Sequence, residues 1–261
     1  YAQLVSNYPT CLVENKEFFF TTSTPGEKRA FLNKTLFYVE QSANNAFKDL
    51  KKTIYQRAAC LKSNDLKQIA YWDQKLIELE PFITQINKNL IVSVNDMLQT
   101  SEIKDHFAQK NPWLTDLVVH YDPGFDKNLD FPDILQQNIE KDRILKRTTA
   151  GPHKRSFNFL LNNMPAHDLL SRGQQKIVSI ILHLIQRELI QHKTNTKPIL
   201  LMDDISSELD KENANLMLKY LINNSVQTIM TSINFSHFVD LNDIVLFHVE
   251  HNGGCSNVKR L

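Results

Sequence analysis

Residues 198–204 read PILLMDD, an uninterrupted apolar run closed by two aspartates. A strand with one wet face alternates. A run without alternation fits a strand buried on both faces, which occurs where helices cover both sides of a parallel sheet. The flanking sequence supplies such helices. Residues 173–192 read as a helix whose stretch 177–189 is apolar almost all round, the mark of a buried helix. KENANLMLKYLINN reads as an amphipathic helix, and VQTIMTS (226–232) and DIVLFHVEHNGG (243–254) as further strands. SFNFLLNN (156–163) alternates like a strand. Strand, helix, strand, helix, strand predicts an α/β layer with a mostly parallel sheet.

The upstream half has another rhythm. In TPGEKRAFL, Thr24 can cap a helix, Pro25 suits its first position and Glu27 completes a capping box, worth about 1 kcal/mol. Leu32, Leu36, Val39, Ala43, Phe47, Leu50, Ile54, Ala58 and Leu61 follow at steps of three and four. They predict one long amphipathic helix. KSND (62–65) is a turn. Ile69, Leu76, Ile83, Leu90 and Met97 then recur every seven residues, with Trp72, Leu79 and Ile86 between them, as in a heptad seam. Pro81 should kink or split that helix. The pair predicts an antiparallel hairpin, either a small helical subdomain or an arm that reaches a partner. EFFFTT (17–22) is the strand candidate of the first 23 residues. Residues 117–121 read as a strand ended by Asp122-Pro123-Gly124, and FPDILQQNIEKDRILKR as a helix with Ile134, Leu135, Ile139 and Ile144 on one face.

Composition narrows the function. A chain of 261 residues with 42% apolar content can bury a real core, and its net charge of +1 carries no overall basic field. Any nucleic-acid contact must come from local patches. Three cysteines without a C-x-x-C pattern point away from disulfide frameworks and zinc knuckles, and towards a reducing, cytoplasmic compartment. No apolar run is long enough to span a bilayer, and no signal peptide opens the chain, so no membrane partner is expected. The first residue is Tyr1, not Met, which suggests a fragment.

Two motifs carry chemistry. The apolar strand delivers Asp203 to its C-terminal end, where open α/β sheets bind ligands. A carboxylate there can hold Mg²⁺ against phosphate oxygens, and the adjacent Asp204 can take a proton from an attacking water. The same pair could also be a solvated strand end. In LLSRGQQK, Ser171 can cap a helix and Gly173 lets backbone approach a ligand, which makes an anion site or an ordinary capping box. SSELD (206–210) follows the acids, and Asp210 can cap the next helix.

In that order, LSRGQ, ILLMDD and SELD resemble the signature loop, Walker B strand and D-loop of ABC-type ATPase heads. TTAGPHKRSF (148–157), TPGEKRAFL and YWDQKLIE narrow the resemblance to the RecF family, which is related to the SMC heads. The resemblance implies a partial ABC-type ATPase head with an inserted α-helical hairpin subdomain. Residues 1–23 would be the remainder of an N-terminal lobe, 24–115 the helical subdomain and 116–261 the C-terminal lobe. It implies ATP and Mg²⁺ as cofactors, Asp203 as metal ligand and Asp204 as catalytic base. Ser171, Arg172, Gly173 and Gln174 would touch the γ-phosphate of ATP held by a second subunit, Ser207, Glu208 and Asp210 would form the D-loop, and Thr231 would stand at the switch position. It further implies an ATP-dependent homodimer, DNA binding, RecR and RecO as partners, and recombinase loading at gaps in the bacterial cytoplasm. None of the six glycines lies in a G-x-x-x-x-G-K-[ST] phosphate loop, so this stretch alone should not bind ATP tightly. A non-hydrolysing DNA-binding scaffold and another SMC-like head are the competing expectations. For DNA, Lys51 and Arg57 on the first helix, and Lys146, Arg147, Lys154 and Arg155 around TTAGPHKR, are the candidate contacts.

Overall fold

The structure is a computed structural model that describes residues 8–13, 20–204, 209–233, 244–252 and 255–260. A three-stranded sheet lies at its base, ordered β1 (Thr10–Val13), β5 (Ile199–Met202), β6 (Thr228–Met230), with both pairings parallel. Between β1 and β5 the chain builds all its long helices and a second, antiparallel sheet. That sheet joins β2 (Leu117–Asp122), β3 (Ser156–Leu161) and β4 (Met164–Pro165). Asn162 and Asn163, both at positive φ, make the tight turn from β3 to β4.

Helix α1 (Pro25–Val39) starts with the predicted capping box, the Thr24 hydroxyl accepting from Glu27 N–H. The long helix expected after it is two helices. Glu40 leaves helical geometry, and its carboxylate accepts from the backbone N–H and hydroxyl of Ser42, a local bond pattern that competes with the helical ladder. The chain restarts as α2 (Ala43–Ser63). Asn64 turns left-handed, Asp65 caps α3 (Leu66–Thr100), and α2 and α3 pack as the expected hairpin. Pro81 does not split α3, which runs unbroken for 35 residues. One lost ladder bond is outweighed by a seam in which Ile69, Leu76, Ile83, Leu90 and Leu98 are all buried.

After α4 (Glu102–Ala108), α5 (Phe131–Leu145) buries Phe131, Ile134 and Leu135, whereas Ile144, expected on the same face, is exposed. A single turn, α6 (Ala166–Leu169), precedes α7 (Arg172–Thr194), which buries Ile177, Val178, Ile180, Ile181, Leu182, Leu184 and Ile185 in the main core. Helix α8 (Lys211–Asn223) links β5 to β6, and β7 (Phe247–Asn252) with β8 (Cys255–Arg260) forms a separate antiparallel hairpin. Of the EFFFTT segment, residues 17–19 lie outside the described residues, and 20–22 form a turn rather than a strand. Phe20 is there to pack against Phe31, Phe157 and His183. The main core is continuous from Cys11 through Leu98 to Val226, so the first helices and the sheets share one interior.

The 148–155 loop is held from several sides. Gly124 sits at φ +86°, and a Cβ there would lie 2.6 Å from the backbone of Gly151, Lys154 and Arg155. Burial pushes the His153 imidazole down to about 4, from an ordinary value near 6.5, while Nε2 donates to the Thr148 carbonyl at 3.1 Å. Because the folded value lies below the unfolded one, the neutral ring stabilises the fold above about pH 6.5. That contribution, about 3 kcal/mol, is lost as pH falls towards 4. Urea unfolding of His153→Gln is expected to show a flatter loss of stability between pH 6.5 and 4 than the parent chain. An identical slope would contradict this role for the imidazole.

Candidate functional site

Strand β5 ends where the acids begin. Asp203 N–H donates to the Val13 carbonyl at 3.0 Å, and Thr231 N–H donates to the Met202 carbonyl at 2.9 Å, which locks the strand end between its two neighbours. The Thr231 hydroxyl then serves both acids. It donates to Asp203 Oδ1 at 2.6 Å and accepts from Asp204 N–H at 3.0 Å. Asp203 is exposed and Asp204 half-buried. Asp204 adopts φ +45°, a left-handed backbone that a non-glycine residue holds only when its surroundings fix it; such strain concentrates at functional sites. Asp203, Asp204 and Thr231 are thus brought together. Ser207 and Glu208 lie outside the described residues. Asp210 caps α8, accepting from Asn213 N–H at 2.8 Å.

The second feature is the start of α7. Ser171 Oγ accepts from Gln174 N–H at 3.4 Å, and Gln174 Oε1 accepts from Ser171 N–H at 2.8 Å, a complete capping box. Ser171 and Arg172 are exposed, and Gly173 and Gln174 half-buried. The next residue anchors the turn. Buried Gln175 accepts from the Thr21 hydroxyl at 2.5 Å and donates to the Leu170 carbonyl at 2.9 Å. The open end of α7 therefore presents backbone N–H groups and a cation to solvent on a fixed base, a suitable seat for an anion.

Asn195, left-handed at φ +53°, ends α7 and lets the chain reverse into β5 within four residues. The start of α7 and the end of β5 consequently face the same way.

The donor set suits a magnesium nucleotide. Among the described residues no cluster of three or more His, Cys, Asp or Glu side chains forms a protein cage for a metal. A lone exposed carboxylate such as Asp203 is how Mg²⁺ is held when phosphates and waters supply its other ligands.

Two candidate DNA contacts are corrected. Arg57 is 0% exposed and ion-pairs with Asp73 and Asp142, with the Thr148 hydroxyl accepting from Nη1 at 3.0 Å. Arg155 is 2% exposed; it donates to Asn87, Asn33 and the Pro152 carbonyl and stacks over the Phe47 ring at 4.6 Å. Neither can meet a phosphate on the surface. Lys51, Lys146, Arg147 and Lys154 are exposed. Sequence reasoning missed Thr21, Gln175 and the carbonyl of Val13. For Arg57 a signal existed: it lies on the stripe of Leu50, Ile54 and Leu61, where an unpaired charge is not tolerated.

Residues 25–256 match the family described as RecF/RecN/SMC N terminal domain. The DNA replication and repair protein RecF of Aliivibrio fischeri is 30% identical over 253 residues, 96% of this chain and 69% of that protein. The RecF protein of Vibrio campbellii is 31% identical over 253 residues, again 96% and 69%. A solved structure of the recombination mediator protein RecF-ATP in the RecFOR pathway superimposes with a TM-score of 0.76 at 21% identity, covering 99% of this chain and 69% of that one, a likeness of fold. With its parallel sheet, capped signature turn and strand-end acids, the chain belongs to the RecF family and has the α/β fold of an ABC-type ATPase head.

Proposed function

We propose that the chain supplies two halves of different ATP sites in a nucleotide-dependent DNA-repair dimer. The observation that carries this is that Thr231 gathers Asp203 and Asp204 at one strand end, while the capped turn at Ser171 is a separate element. A second copy can present its turn to the nucleotide seated on the first copy's acids. In each site Asp203 would hold Mg²⁺, which would shield the charge on the phosphates. Asp204 accepts the proton of the attacking water, and Thr231 fixes both carboxylates and senses the state of the phosphates as the switch residue. From the partner copy come Ser171, the N–H groups of Gly173 and Gln174, and the Arg172 cation. Ser207, Glu208 and Asp210 of the D-loop meet their counterparts across the dimer.

The names of the relatives support a role in the replication and repair of DNA and in recombination mediation; to that role we add recombinase loading at gaps together with RecO and RecR, in the damage response of the bacterial cytoplasm. The helical region 24–115 and the lobe 116–261 are the working parts, with DNA held by exposed cations such as Lys51, Lys146, Arg147 and Lys154.

Ser171→Arg places a bulky cation in the anion seat. In full-length protein it should remain monomeric by sizing chromatography with a non-hydrolysable ATP analogue, under conditions where the parent dimerises. Dimers of parental strength would overturn the reading.

A further inference from the structure

A groove of about 1120 Å³ is lined by residues of α1 and α2 together with Thr10, His153 and Arg155. Its lining is one-sided in charge: Arg29, Lys34, Lys48 and Lys51 contribute four cations with buried Arg155 behind them, and among the described residues no aspartate or glutamate lines it. Arg155 adds a second, independent observation. It is 2% exposed, its hydrogen-bond partners among the described residues are all neutral, and burial lowers it to about 10. A buried guanidinium is ordinarily balanced by a carboxylate. Here Arg29, another cation, donates to the Arg155 carbonyl instead. The positive potential is left for an outside anion to neutralise.

We propose that this groove seats a single strand of nucleic acid by its phosphates, a reading that rests on the DNA role above and gives it a place and a strand form. Four of the cations line two walls, Arg29 and Lys34 on α1 and Lys48 and Lys51 on α2, rather than converging on one point. That suits a chain of phosphates better than a single phosphate group. Lys48 and Lys51 are three residues apart on a helix and so share a face. The same two helices add Phe37, Phe47, Leu50 and Ile54, an apolar lining for bases and sugars. Single-strand binders combine a cationic track with such aromatic surfaces. An apolar lining suits the accessible bases of a single strand, whereas a duplex keeps its bases stacked inside and would offer the groove only its backbone.

The test is fluorescence anisotropy of the 261-residue chain with a labelled oligothymidine of about 12 nucleotides and with a duplex of equal length, across a salt series. The variant is Lys48→Gln with Lys51→Gln, both exposed and outside the nucleotide machinery; its melting temperature should match the parent. The parent is expected to bind the single strand, and the variant to bind it more weakly. The slope of log K against log salt should become shallower by about 1.4, at about 0.7 per lost phosphate contact. Binding that is unchanged in the variant would overturn the groove while leaving the DNA role intact. Equal losses on single strand and duplex would overturn the strand assignment. Failure of the parent to bind either would remove both readings for this chain.

Discussion

Asp204→Asn in the full-length protein is expected to bind ATP as the parent does and to hydrolyse it about 10²–10⁴ times more slowly, the range a positioned general base supplies. The amide keeps the size of the carboxylate, and asparagine is among the residues that best tolerate the left-handed backbone at this position. The backbone N–H that donates to Thr231 is also retained. What is lost is the capacity to take a proton. Asp203 remains to hold the metal, so nucleotide affinity should be preserved. Single-turnover hydrolysis beside equilibrium binding of a fluorescent nucleotide separates the two effects. Parental turnover in the variant would remove Asp204 from the base role.

Arg57→Ala is expected to be among the most destabilising single changes in the chain. The guanidinium joins three helices: it leaves α2 to meet Asp73 on α3 and Asp142 on α5, and it reaches Thr148 in the following loop. Asp142 is itself fully buried and also accepts from the backbone N–H and hydroxyl of Thr149. Removing the cation strands that carboxylate in the interior, at a cost of about 3–5 kcal/mol. At about 2–4 °C per kcal/mol for a chain of this size, the melting temperature should fall by roughly 6–20 °C. Lys51→Ala, on the exposed face of the same helix, should change stability by no more than about 0.5 kcal/mol. Equal melting of the two variants would show that the network contributes nothing.

The contrast between Arg57 and Lys51 shows what a sequence makes legible. Caps are local chemistry, so Thr24, Ser171 and Asp210 could be read directly and each begins its helix as expected. The run into Asp203 and Asp204 was legible as a strand because its apolar letters are unbroken, although only one face is fully buried: Leu200 and Met202 are buried, Ile199 and Leu201 half-buried. The pairing of Thr231 with those acids followed only as a position in a family pattern, and its two hydrogen bonds emerge only in the folded chain. Strand β1 escaped notice because four residues carry no period, and its partner in the sheet lies far along the chain. Phe18–Phe20 looked like a strand because aromatic runs favour strands, yet Phe20 serves an aromatic cluster from a turn. The break at Glu40 was hidden because apolar spacing continues straight through it. Arg57 and Arg155 were misread because a basic run has the same letters whether it faces water or the interior.

A site shared between two copies makes a demand on subunit mixtures that no single-chain site would make. Ser171→Ala and Asp204→Asn subunits of the full-length protein are each expected to hydrolyse ATP slowly alone. Mixed in equal amounts, about half of the dimers pair one of each, and each such dimer has one site with intact acids from one copy and an intact turn from the other. Steady-state hydrolysis of the mixture should therefore recover to about a quarter of the parental rate. A mixture no faster than the mean of its two components would mean that the turn and the acids serve one nucleotide within a single chain, and would contradict a site shared between two copies.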